Sequence, residues 1–587
     1  MLLSHSRPFL LVAALMLATL PASADVTVRV EGVEGALADN VRALLSVQRY
    51  ATTKDLDAET LDRLVGRAER EVRTALKPFG HYEPEVTTET RAVKAGWEVV
   101  LRIKPGPVVK LVESRVEVAG PGKDEPFFRN VLSASPLTAG KTLSHADYES
   151  VKGELLRQAA AHGYLDAQLS SSQLLVDVAA HEARAILVLE TGERYRFGAT
   201  RITQDVVKPA LVERFLRWRE GDWFDSVALL RTQFALDDSE YFGLVEVLPG
   251  DRDREARTVP VQIKADAGDR YRWTIGAGYA TDTRFRGTLG FRNRRVNDSG
   301  HRLDARVQYS EVEQTATLTY TIPWDDPALE KLSFRLEAEN TTNGDLETSG
   351  VTLRSGLTQV RGNWQRVLFV EASSTTSDTG TVAVLGEPSQ TRSSDRLLVP
   401  GISYAKLPPT ITGVAEVGRG LFAELLGSTA ALGSNSNFLR LRVQDERRIP
   451  LARTWTLLLR GQLGLSAISE FEELPPDYRF FAGGDRSVRG YGLDELSPVN
   501  SEGERIGGRH LVVGSVEVEH DLPHKLAVAV FFDAGNAVNR LGDPLEYSAG
   551  VGIRFKLPFV SVGLDVAQSL SESGRNPRLH LNVTPVF

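Results

Sequence analysis

The closing stretch Arg578-Leu579-His580-Leu581-Asn582-Val583-Thr584-Pro585-Val586-Phe587 alternates strictly. Leu579, Leu581, Val583, Pro585 and Phe587 fall on one face. Arg578, His580, Asn582 and Thr584 fall on the other. A period of two belongs to a β-strand with one apolar and one polar side. The preceding segments repeat the pattern. Val560, Val562, Leu564 and Val566 oppose Ser561, Gly563, Asp565 and Ala567. Tyr547, Ala549, Val551, Ile553 and Phe555 oppose Ser548, Gly550, Gly552, Arg554 and Lys556.

Working back, period-2 segments separated by turn residues reach about Tyr271. We count about sixteen candidate strands, with the count least defined between Gly380 and Gly433. Strands of about ten residues with connecting loops fit a transmembrane barrel, lipid outside and polar lumen inside. A soluble sandwich would alternate in the same way. The leader described next, four Trp (Trp273, Trp324, Trp364, Trp455) and the terminal Phe587 favour the barrel.

Residues 1–24 read as a secretory signal peptide. His5 and Arg7 precede the apolar run Pro8 to Leu20, and Ala22-Ser23-Ala24 supplies the small-residue end. After it, no run approaches the roughly 18 apolar residues of a spanning helix. The 587 residues are 42% hydrophobic and 25% charged, which excludes wholesale disorder. Lys and Arg total 69 against 77 Asp and Glu, a net charge of −8, which argues against nucleic acid as a partner. Cys is absent, so disulfides, thiolate metal sites and cysteine nucleophiles are excluded.

Between the leader and the barrel a pattern recurs about every 80 residues. Gly80-His81-Tyr82, Gly163-Tyr164-Leu165 and Tyr241-Phe242-Gly243 each precede a strand-like run. Opening strands are expected at Val26–Val30, Val109–Val118 and Arg194–Ile202. Two helical patterns follow each; Leu56–Leu76 carries Leu61, Leu64, Val65 and Ala68 at helical spacing. Two alternating strands close each unit. The order β-α-α-β-β, tandem and ahead of a β domain, resembles the POTRA module. The resemblance implies an edge strand open to an extended client chain. The fold class expected is tandem α+β POTRA modules followed by an antiparallel transmembrane barrel. The boundaries expected are 25–106, 107–192 and 193–267 for the modules and 268–587 for the barrel.

The longest interruption of the barrel pattern near the C-terminus runs from Leu465 to Gly507. It contains Phe480-Phe481-Ala482-Gly483-Gly484-Asp485-Arg486-Ser487-Val488-Arg489-Gly490-Tyr491. Then come Glu519 before Pro523, Phe531-Phe532-Asp533-Ala534-Gly535, Gly550-Val551-Gly552-Ile553-Arg554 and Asp565-Val566-Ala567. Together these resemble the sixth-loop and closing-strand motifs of the BamA-like outer-membrane assembly superfamily. Asp25–Gly32 with Ala38-Asp39-Asn40-Val41-Arg42, and three modules rather than five, resemble its TamA branch. That branch works with the inner-membrane-anchored TamB.

The resemblance implies an outer-membrane insertase or translocase, with unfolded outer-membrane proteins or autotransporters as clients and lipid around it. It implies no cofactor and no metal. Arg489 is expected to dock on Asp533 and Glu519, with Gly483, Gly484, Val488, Gly490 and Tyr491 shaping the loop. Alternation places Asp533 opposite Val528, Val530 and Phe532, hence toward the lumen. Glu517 and Glu519 share one face. Phe531, Gly535, Gly550, Gly552, Arg554 and Asp565 mark the closing strands, and Phe587 is the expected assembly signal. Rival readings are a two-partner secretion pore for one dedicated client and the outer-membrane end of a TamB lipid route.

Enzymatic readings find little support. His520 and His524 have ligand-like spacing, but Pro523 breaks a shared helical face. Gly276-Ala277-Gly278 lacks a third Gly and a following helix. No G-x-S-x-G elbow occurs. Asp325-Asp326 and Glu472-Glu473 read as turn and loop charges.

Overall fold

A computed structural model describes residues 25–50, 57–93, 96–343, 345–379, 392–407, 420–501, 503–556 and 560–585. The expected leader, 1–24, and Phe587 lie outside the described residues, as does part of the stretch from Gly380 to Gly433.

The chain forms two compact units. The first comprises residues up to Gly198 with Glu220–Ser226 and Arg252–Val259; the second comprises the remainder. The first unit contains two copies of one arrangement. Asp25–Glu31 opens, and helix Ala58–Leu76 crosses to the pair Glu85–Val93 and Gly96–Lys104. The opening strand runs parallel to the last, which sits between the other two. Asp57 starts the long helix by accepting the Thr60 N–H at 2.6 Å, an N-cap that satisfies a free amide of the first turn. Leu61, Leu64 and Ala68 are buried against Val99 and Leu101, and Val65 packs beside them. The helical spacing of the sequence thus builds this core.

Lys110–Ala119, helix His145–Ala161, Gln168–Asp177 and Glu182–Glu190 repeat the plan around Phe128, Leu155 and Leu187. A third sheet of the same order comprises Arg196–Thr203, Phe242–Pro249 and Thr258–Ala267.

The recurring Gly-aromatic turn is where each module meets the next body. Gly80 sits at φ +85°, and its carbonyl accepts the Val109 N–H at 2.9 Å. Tyr82 reaches His145 Nε2 at 2.8 Å. The Gly163 carbonyl likewise accepts the Tyr195 N–H at 2.8 Å. In the third copy Tyr241 donates its hydroxyl to the Gly300 carbonyl at 2.6 Å, on a barrel turn. The compact units therefore do not divide at Gly268: most of the third sheet packs with the barrel. Arg217 pairs with Asp326 at 2.6 Å, and Glu240 lies 3.0 Å from Arg292 with Arg272, Arg294 and Arg302 within 3.9 Å.

Sixteen antiparallel strands, each bonded to its neighbours in sequence, close into a barrel from Tyr271–Ala280 to Arg578–Pro585. Arg392–Lys406 and Phe422–Ser428 supply the strands in the stretch where the count was least defined. The faces follow the alternation. Val528, Val530 and Phe532 are exposed on the outside; Ala527, Ala529, Phe531 and Asp533 are buried inside. Among the described residues no helix is long and apolar enough to cross a membrane.

Candidate functional site: the loop docked in the barrel

The eleventh strand, Trp455–Ala467, and the twelfth, His510–Leu522, are joined by the long loop. Arg489 lies in it and is 1% exposed. Its Nε and Nη2 donate to the two oxygens of Asp533 at 2.8 and 2.9 Å, and its backbone N–H adds a third bond at 3.1 Å. Nη1 donates to Glu517 at 2.6 Å and approaches Asp565 at 3.5 Å; Nη2 also reaches Ser515 at 3.3 Å. The guanidinium carbon lies over the Phe531 ring, 3.3 Å from its centre. All five N–H donors of the planar fork have an acceptor, a geometry ammonium cannot copy.

The expected second acceptor, Glu519, is elsewhere. It accepts from Arg448 at 3.1 and 3.2 Å, and Glu517 takes the place beside Arg489. Register explains the difference. Ser515 stands opposite Asp533, Glu517 opposite Phe531 and Glu519 opposite Ala529. Two residues along a strand is a step of about 7 Å, so Glu519 lies one step beyond the fork.

Buried charges persist only when paired. Here three cations meet three carboxylates. Arg554 donates to Glu517 at 3.1 Å and to both oxygens of Asp565, and Arg460 lies 3.9 Å from Glu517. The closing-strand glycines clear the ground for them. A Cβ on Gly550 would overlap the Phe531 ring and the Val566 carbonyl; one on Gly552 would overlap the Asp565 carboxylate. Gly535 admits the Val512 carbonyl, which a Cβ would approach to 2.6 Å.

The rest of the motif anchors the loop on both sides of Arg489. Val488 packs with Phe480, Leu511 and Val513. Tyr491 is fully buried, its hydroxyl 2.9 Å from Glu546 and 2.7 Å from Ser569. Gly483, Gly484 and Gly490 all adopt positive φ. A polar space of about 960 Å³ lines the inner wall of the first five strands, with Arg272, Arg286, Arg306, Arg335, Glu313 and Glu337 among its walls.

Sequence reasoning overlooked three groups. His580 on the last strand, Asp485 in the loop and Asp282 after the first strand bring one ligand-type atom each within 4.8 Å of one another. The signal for His580 was the alternation, which sets it on the polar face with Arg578. Their bonding does not fit a metal ion. Gly490 donates its N–H to His580 Nε2 at 3.0 Å. That nitrogen is therefore bare and Nδ1 holds the proton, leaving no lone pair toward the carboxylates. The histidines with ligand-like spacing do not converge either: His520 packs on the Trp455 ring, and His524 sits in a turn at φ +64°.

Residues 297–583 match the model of the Omp85 superfamily domain. The chain carries an Omp85 domain. Residues 27–105 match the model of the first POTRA domain of TamA. Among curated proteins, the outer membrane protein assembly factor BamA of Nitratidesulfovibrio vulgaris (strain Hildenborough) is 24% identical over 391 residues, covering 63% of this chain and 48% of the relative. The chain thus spans about half the length of the curated relative it matches. Among solved structures, BamA from Haemophilus ducreyi lacking POTRA domains 1–3 aligns with a TM-score of 0.62 at 17% identity, covering 81% of this chain and 99% of that one. That likeness is one of fold: POTRA-type modules followed by a sixteen-stranded barrel.

Proposed function

We propose that this protein is an outer-membrane insertase or translocase of the TamA type, with its modules in the periplasm. One observation carries the reading. Among the described residues, the first strand, Tyr271–Ala280, is laddered to the last at Tyr279 and Ala280. On this reading the strand from Tyr271 to Gly278 offers its edge toward the seam. An unpaired edge is a template for an incoming strand, because main-chain bonds accept many sequences. Pro585 of the last strand has no N–H to offer it.

The clients on this reading are unfolded outer-membrane proteins or autotransporters, delivered along the modules. A TamB-like protein anchored in the inner membrane docks on the first module, residues 25–106, the segment that supports the TamA assignment. The chemistry is non-covalent, with no cofactor and no catalytic group. The docked loop fills one side of the lumen while the seam faces lipid.

The test is deletion of the gene, followed by a survey of outer-membrane proteins and lipids. Loss of several barrel or autotransporter proteins with normal lipid composition supports the proposal. Loss of a single exported protein points instead to a dedicated secretion pore. Altered lipid with an unchanged protein complement points to lipid transport.

A further inference from the structure

Three side chains from distant parts of the sequence gather beside the short ladder of the seam. Among the described residues that ladder comprises Tyr279 opposite Val583 and Ala280 opposite Asn582, extended by the Thr281 N–H donating to the Leu581 carbonyl at 2.9 Å. Asp282 follows the first strand, His580 lies on the last strand, and Asp485 belongs to the long loop. The Asp485 N–H donates to Asp282 Oδ2 at 2.7 Å. Its carboxylate lies 2.5 Å from His580 Nδ1. The Gly490 N–H at Nε2 fixes the tautomer, so the proton on Nδ1 is donated to Asp485. Asp485 thus touches both sides of the seam at once.

We infer that Asp485 is a latch: through Asp282 and His580 it holds the first and last strands together at the loop end of the barrel. The inference goes beyond the proposed function, since it concerns the closed barrel with no client present. The side chains of Asp282, Asp485 and His580 are 5, 14 and 2% exposed, so water competes little for these bonds. Two carboxylates stand side by side here, which is unfavourable unless donors face them. The Asp485 N–H and the His580 ring supply those donors, and Arg578 approaches Asp282 at 3.8 Å from the last strand. Gly484 belongs to the device. It sits at φ +95°, and a Cβ there would lie 2.7 Å from Asp282 Oδ2, in the way of the bond to the next residue. Lifting the loop would remove the bridging donors and leave, among the described residues, the short ladder, the two Thr281–Leu581 bonds, the Arg286–Asn582 bond and the Arg578–Asp282 contact.

The absence of Cys allows spin labels to be placed without background. Val562, Val583, Tyr279 and Phe285 stand in line across four strands, with the seam between the middle two. Labels at Phe285→Cys and Val562→Cys therefore span the seam without altering either seam strand. Double electron–electron resonance should show one narrow distance in the parent. Asp485→Ala and His580→Ala should each move population outward by roughly one strand spacing, about 5 Å. The double variant should add nothing further. The loop should stay protease-protected in Asp485→Ala, because the Arg489 cluster is untouched.

An unchanged distance in both single variants overturns the latch. A shift accompanied by loss of loop protection also overturns it, making Asp485 a loop-folding residue instead. If His580→Ala yields no heat-modifiable barrel, Asp485→Asn, which keeps the volume, decides the matter by the same readings. None of these measurements needs a client, so the latch and the insertase reading can fail separately.

Discussion

The Arg489 guanidinium carbon sits over the Phe531 ring, 3.3 Å from its centre, while Asp533, two residues along the same strand, grips its edge. Face and edge of one cation are held by one strand. Removing the cation leaves Asp533 and Glu517 buried beside each other's field. Stranding a buried charge costs roughly 3–5 kcal/mol, less where water enters. Arg489→Ala should leave the barrel inserted, because the outward faces are untouched, but expose the loop to protease. Arg489→Lys should restore little protection. Arg489→Asp combined with Asp533→Arg should restore part of it; full protection in the single variants would refute the anchoring role.

Glu517 and Glu519 give a sharper comparison. Both are buried carboxylates on one face, yet only Glu517 touches Arg489. Glu517→Gln should loosen the loop in limited proteolysis. Glu519→Gln should leave the loop protected and release Arg448 instead. Equal loop sensitivity in the two variants would contradict the register.

Gly550 tests packing under the cation. A methyl group there would meet the Phe531 ring and a strand carbonyl that cannot step aside. Gly550→Ala should destabilise the barrel by about 1–3 kcal/mol. The check is the temperature at which heat-modifiability on a gel is lost. Gly461→Ala, with open space around it, serves as the control and should shift nothing.

The first two modules should fold without the barrel, since each has its own core. Residues 25–192 should express as a soluble fragment with a cooperative melt. His145 sits at the joint between them, and burial lowers its pKa below the usual 6.5. A folded pKa below the unfolded one means that the native state binds fewer protons. Its contribution is therefore complete above about pH 6.5, the unfolded value, and is lost as pH falls through the lowered folded pKa. Melting temperature should decline in that window, and His145→Gln should flatten the decline. An unchanged slope would assign the acid sensitivity to other groups.

Tyr241 tests the joint to the barrel. Tyr241→Phe removes the hydroxyl that meets Gly300 and should cost about 0.5–1.5 kcal/mol. Hydrogen exchange should show the effect in Pro209–Glu213 and in the turn around Gly300, with the Arg489 cluster unchanged.

Periodicity carried much of this architecture. The alternation of Leu579, Leu581 and Val583 identified a strand and its outward face, and Leu61, Leu64 and Ala68 identified a helix. Alternation cannot say how far along a strand a partner stands. Glu517 and Glu519 are equivalent to a period of two, and only the register with Phe531 and Ala529 separates them. Groups brought together by closure are harder still. Asp282 and His580 are almost 300 residues apart, and no local pattern predicts that Asp485 will sit between them. The joint at Tyr241 was visible as a repeated turn, but its contact with Gly300 depends on where the barrel turns fall.

The third module and the long loop each hold a different part of the barrel wall. Lys208, Arg217, Glu240 and Tyr241 attach to the turns and strands around Arg292, Gly300 and Asp326. The loop attaches through Arg489, Tyr491 and Gly490 to the strands from Ser515 to His580. The loop also reaches the far wall: Tyr478 donates its hydroxyl to Glu371 at 2.8 Å, and the Arg505 N–H donates to Asp345 at 2.7 Å. It is therefore a strut across the bore, tying the wall at Asp345 and Glu371 to the strands from Ser515 to His580. Force applied to the third module would enter around Arg292, Gly300 and Asp326, and the strut would share that load between the two sides.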